Sequence, residues 1–242
     1  MKLLNFIKRK DLSRFTLFLV ILAVSCSANT PKGAFMSFVS AVQKGDVKKI
    51  SELDYELANR MKGMFKSDQE TFLKTFAEDF SRPATTAYIE SYRGYPFGVK
   101  SCRYAPKVFF PADAKVEITD IIEKEEYGEK KALLQVAVTY PEGREPYYVE
   151  DVEVVWHEPE RYPGGLYIPP IKPIPMVTPG FFESNHPFRN KPKYFARYTD
   201  YDLSLKMKVV KRIVLTVEMV YDQKSGRWFF RKITPDVSSI KR

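Results

Sequence analysis

An apolar residue occupies every odd position from Leu203 to Tyr221 except one: Leu203, Leu205, Met207 and Val209, then Ile213, Leu215, Val217, Met219 and Tyr221, with Lys211 as the break. Successive side chains of a strand point to opposite faces, so this spacing commits the segment to β-structure with one buried face. The segment is either one long bent strand or two successive strands. Asp222-Gln-Lys-Ser-Gly226 supplies a hairpin turn before Trp228, Phe229, Phe230 and Ile233. The same period runs through Leu134, Val136, Val138 and Tyr140, with Val116 and Ile118 ahead of a Tyr127-Gly128 turn. Tyr148, Val152, Val154 and Trp156 fit a further strand.

The first part of the chain has a different period. Thr30-Pro31 reads as an N-cap followed by proline at the first helical position. Phe35, Phe38, Val39 and Val42 then recur at helical spacing. Gly45 ends this helix, and Asp46 caps a second that carries Val47, Ile50 and Leu53. A third opens at Ser67 with Glu70 as its capping-box partner and bears Phe72, Leu73, Phe76 and Phe80, a spacing that assigns these aromatics to a core. Helices followed by strands predict an α+β fold, with N-terminal helices packed on a curved antiparallel sheet. Eleven of the 17 prolines fall between Pro141 and Pro192, and Tyr167-Ile-Pro-Pro-Ile-Lys-Pro-Ile-Pro175 can form neither helix nor central strand. Residues 141–200 therefore read as a proline-rich insertion within a single domain spanning 31–242.

Ahead of the domain, Phe15–Val24 is a ten-residue run, apolar except for Thr16, preceded by Lys2, Lys8, Arg9, Lys10 and Arg14. Ten helical residues reach only about 15 Å, half of a roughly 30 Å hydrocarbon core. The layout is that of a secretory signal. Leu22-Ala23-Val24-Ser25-Cys26 resembles a bacterial lipobox, which implies cleavage before Cys26, a diacylglycerol on its thiol and a short tether over residues 26–30. Two or three acyl chains suffice for stable anchoring. Removal of residues 1–25 takes away five basic groups and one acidic group and lowers the net charge from +9 to +5. Localisation is then the bacterial cell envelope. Ser27 after the cysteine permits outer-membrane delivery by resemblance to enterobacterial lipoproteins; the alternative is an inner-membrane protein held by an uncleaved apolar run.

Thr30-Pro31, Phe38-Val39, Val42, Lys44-Gly45-Asp46 and Ile50, together with the closing Gly226-Arg227-Trp228-Phe229-Phe230 hairpin, resemble bacterial lipoproteins with a nuclear-transport-factor-2-like (ketosteroid-isomerase-like) domain. The resemblance implies a cone-shaped α+β domain with a cavity between helices and sheet. Members use that cavity for catalysis, ligand binding or assembly, and the fold does not choose among them.

No catalytic motif is present. His157 and His186 stand in no recognised arrangement, Cys102 reads as a small buried residue, and no Cys/His spacing calls for a metal or cofactor. Phe188–Tyr198 interleaves Arg189, Lys191, Lys193 and Arg197 with aromatics. Export removes nucleic acid as a partner and leaves an envelope protein, anionic lipid or cell-wall polymer. Ile171, Arg189, Lys191, Lys193, Tyr194 and Arg197 are the candidate partner-binding residues, on an ordered flap over residues 159–198. The functional expectation is a lipid-anchored, non-catalytic interaction or assembly module. The alternatives are a binder of a small or lipidic ligand in the cone, and a pocket hydrolase or isomerase.

Overall fold

A computed structural model describes residues 29–81, 89–90, 105–156, 176–177, 180–183, 195–198 and 201–240. Helix α1 (Pro31–Lys44) begins as its sequence dictates: the Thr30 hydroxyl accepts from the Gly33 N–H at 3.0 Å and Pro31 occupies the first turn. It ends at Gly45, whose φ of 67° is the left-handed conformation that glycine adopts without strain. Asp46 caps α2 (Val47–Leu53) by accepting from the Lys49 N–H at 2.9 Å. Asp54 does the same for α3 (Tyr55–Lys62), accepting from the Leu57 N–H at 2.9 Å.

This α3 adds a fourth N-terminal helix to the three expected from periodicity. Its apolar stripe is short, and only Leu57 is buried. The next helix, α4 (Lys66–Ser81), starts one residue ahead of Ser67, so the expected capping box does not form. Ser67 lies inside the first turn with its hydroxyl beside the Asp68 carboxylate, and the Phe65 carbonyl accepts from the Asp68 and Gln69 N–H groups instead. Phe76 and Phe80 are buried as expected, while Phe72 and Leu73 are only half-buried. A short α5 (Ala105–Phe109) follows.

The strands are β1 (Ile89–Glu90), β2 (Lys115–Glu126), β3 (Glu129–Thr139), β4 (Tyr147–Trp156), β5 (Met176–Val177), β6 (Phe181–Phe182), β7 (Phe195–Tyr198), β8 (Tyr201–Val209), β9 (Arg212–Asp222) and β10 (Arg227–Asp236). They form one antiparallel sheet ordered β10-β9-β3-β2, a second ordered β6-β4-β8-β7, and a β1–β5 ladder. The fold is therefore α+β, with two four-stranded sheets. The proline-rich region contributes β4, β6 and β7 to the second.

The odd-numbered apolar ladder thus resolves into two successive strands, β8 and β9, in different sheets. The change falls at Val210-Lys211, where the spacing breaks. Across it the Tyr140 N–H donates to the Lys211 carbonyl and the Val210 N–H to the Pro146 carbonyl, each at 2.9 Å. Two residues on one side face the longer segment 140–146 on the other. That inequality ends one ladder and starts the next.

Leu134, Val136 and Val138 of β3 and Ile213, Leu215, Val217 and Met219 of β9 are fully buried, as alternation requires. They share one core with Phe35, Phe38, Val39 and Val42 of α1. Burying each such side chain contributes about 1.5–3 kcal/mol. Phe181 of β6 ties the second sheet to the helices: its ring lies 5.1 Å from those of Phe109 and Tyr148.

Candidate functional site

The space between α1 and the first sheet is filled. Phe35 makes edge contact with Phe110 at 5.8 Å, and Phe38 and Val39 are almost fully buried against the sheet. Among the described residues, an open cleft of about 630 Å³ lies beside the C-terminal end of α1. Val42, Phe80, Val108 and Phe110 give it an apolar wall, and Gln43, Lys107, Arg144 and Glu183 supply its polar groups.

Each polar group is fixed by local structure. Gln43 Nε2 donates to the carbonyls of Pro111 (3.2 Å) and Ala114 (3.1 Å), tying α1 to the turn that enters β2. Lys107 Nζ donates to the Phe80 carbonyl at 2.7 Å, near the end of α4, and stands 3.4 Å from Glu183 Oε1. The same ammonium lies 5.3 Å from the centre of the Phe80 ring, a cation–π contact. Arg144, in the turn between β3 and β4, pairs with Asp113 at 2.6 Å. The side chains of Lys107 and Glu183 are 23% and 11% exposed, so this ion pair is largely desolvated and orients the wall. An apolar surface edged by fixed charges can hold an amphipathic group.

A second charged cluster lies on the first sheet. Arg231, the extra residue of a bulge in β10, contacts Glu129 at 2.8 Å and Glu218 at 3.5 Å. Lys131 contacts Glu129 at 3.0 Å, and the Arg231 guanidinium lies 5.7 Å from the Tyr55 ring centre. Burial alone would raise the Glu129 carboxyl, but hydrogen bonds and charge from Lys131 and Arg231 outweigh it and hold it below the usual carboxylate range. The cluster joins three strands and α3, which is a structural task.

Among the described residues no group of His, Cys, Asp and Glu could hold a metal ion. No described helix is long and apolar enough to cross a membrane. Cys26, Cys102, His157, Ile171, His186, Arg189, Lys191, Lys193 and Tyr194 lie outside the described residues. Arg197 is on β7, in register with Asp202 of β8. The cleft was not visible in sequence because its polar residues are separated by up to 140 positions and share no motif. Lys107 sits on a five-residue helix, and Glu183 reaches the wall only because β6 pairs with β4. The chain matches no family model, no curated protein and no solved structure.

Proposed function

We propose that the chain is an exported, lipid-anchored protein of the bacterial cell envelope that acts as a non-catalytic interaction or assembly module. The observation that carries this is the N-terminal succession of basic residues, a ten-residue apolar run and Leu22-Ala23-Val24-Ser25-Cys26. Among the described residues, the space between α1 and the first sheet is packed with core side chains, which favours docking on an outer surface over a ligand held inside the cone. The finer fold in this proposal is a nuclear-transport-factor-2-like cone with a curved sheet, based on α1, the Lys44-Gly45-Asp46 turn and the closing β9–β10 hairpin.

A second reading, capture of a small amphipathic ligand, is favoured by the apolar cleft beside the Lys107–Glu183 pair. Metabolic labelling with an alkyne fatty acid tests the main proposal. The wild-type chain should take up label and migrate as the processed form, and Cys26→Ala should leave unlabelled precursor. Equal labelling and migration of the two would overturn anchoring at Cys26.

A further inference from the structure

Helix α1 has two unlike sides. Phe35, Phe38, Val39 and Val42 enter the core. The outward side carries Lys32, Met36, Ser37, Ser40 and Lys44, which with Lys49 of α2 line a shallow groove of about 570 Å³. No carboxylate occurs within α1. The one acid lining the groove, Asp46, is engaged in capping Lys49 N–H, and Glu52 pairs with Lys49 Nζ at 3.2 Å. Lys32, Lys44 and neighbouring Lys48 have no ion-pair partner among the described residues, and Met36 is 39% exposed between them.

Position along the chain gives this surface its partner. The four residue-to-residue steps from Cys26 to Thr30 span at most about 14 Å when fully extended. At about 1.5 Å per residue, α1 is roughly 21 Å long, longer than its tether. Anchored by acyl chains on Cys26 or by the apolar run itself, the chain places α1 as the first folded element off the bilayer. We propose that the outward face of α1, with Lys32 and Lys44 lining the groove and the exposed Lys48 at the start of α2, is the membrane-facing surface of the domain and seats on anionic lipid headgroups. This rests on the anchored reading above and adds the face and the lipid class. The ammonium groups meet headgroup phosphates, the Ser40 hydroxyl can donate to the same oxygens while that of Ser37 donates to the Gly33 carbonyl, and Met36 reaches the interfacial region. Each lysine near an anionic surface favours association about fivefold. The attraction fades within about 8 Å at physiological salt, so it acts only on a surface tethered this close.

The full-length chain, processed in a bacterial host and reconstituted in vesicles with headgroup spin-labelled lipid, tests the inference. A fluorescent amino acid replaces Met36 or, as control, Tyr127 at the β2–β3 turn. In vesicles containing phosphatidylglycerol, quenching at position 36 should exceed that at 127 several-fold. It should fall to the control level when phosphatidylglycerol is omitted, or when Lys32, Lys44 and Lys48 are together replaced by Glu, with a triple Gln variant intermediate. Equal quenching at the two positions, or quenching at 36 indifferent to lipid charge, overturns the proposal without needing any lysine variant. Flotation and intact mass of the same preparation report the anchor separately. Chains that float but show equal quenching overturn only the α1 surface, whereas chains that neither float nor carry acyl mass overturn the anchored reading and this surface with it.

Discussion

Phe38 of α1 and Phe230 of β10 lie face to face, with ring centroids 4.1 Å apart and planes inclined by 8°. Both rings are almost completely buried, and the contact closes the first helix of the domain onto its last strand. Removing one ring leaves a cavity in the shared core, which the other buried side chains cannot fill without moving. Phe38→Ala should therefore cost about 3–5 kcal/mol. Urea unfolding followed by the fluorescence of buried Trp228 measures this, and a loss below about 1 kcal/mol would mean that the core collapses around the site.

Tyr140 carries the opposite expectation. Its hydroxyl is buried and finds no hydrogen-bond partner among the described residues, and burial pushes its pKa far above the ordinary phenol value. The group has lost its water and gained nothing in return, a penalty of about 1–3 kcal/mol. Tyr140→Phe keeps the ring and removes the orphan oxygen, so the variant should be at least as stable as the parent. A clear fall in its urea midpoint would show that the hydroxyl is satisfied in solution.

Tyr140 also marks where the sequence stops being readable. Up to it, every even position from Ala132 to Tyr140 is buried and, among the odd ones of β3, only the small Ala137 is, so period alone identifies the strand and its inward face. After it, the chain turns at Pro141–Arg144 and joins another sheet, a change set by pairing with Val210 and Lys211 some 70 residues away. The caps at Thr30, Gly45 and Asp46 were legible because each acts within three or four residues. Helix α3 does not stand out from α2 as a separate helix in the sequence, because its cap, Asp54, follows α2 without a gap and its apolar stripe is one residue wide. The cleft was illegible for a further reason. Lys107, Arg144 and Glu183 look like ordinary surface charges until tertiary pairing brings them together.

Acid should expose the contribution of Glu129. Its native pKa is depressed, so the stability it confers is present in full above the ordinary carboxylate pKa near 4.3 and is lost as pH falls through the lowered native value. Glu126, held down by its hydrogen bond from Lys124, and Asp222, held down by that from Ser225, act in the same direction. The wild-type protein should lose stability progressively below about pH 4, and Glu129→Gln should lose it less steeply while starting lower at neutral pH. Urea midpoints across that range decide the matter. Parallel curves for the two proteins would show that Lys131 and Arg231 do not discriminate between the charged and neutral side chain.

The last expectation concerns the proposed flap over residues 159–198, whose candidate contacts are Ile171, Arg189, Lys191, Lys193, Tyr194 and Arg197. Seven prolines between Pro159 and Pro179 restrict the chain before any partner arrives, so less conformational entropy is lost on docking. Four cations within nine residues add attraction for an anionic partner, while Ile171 and Tyr194 offer apolar and aromatic contact. The β7–β8 pairing, with Arg197 across from Asp202, attaches one end of this segment to the second sheet. A photoreactive residue at Ile171 or Tyr194 should therefore capture the same discrete envelope component in living cells. A probe at Tyr127, fully exposed on the β2–β3 turn, serves as the control. Exposure alone would let all three positions react alike; a docking surface requires the two flap positions to share an adduct that Tyr127 lacks. If they capture nothing beyond the control, the prolines and aromatics serve the packing of the second sheet, and the partner surface must be sought at the cleft beside Lys107 and Glu183.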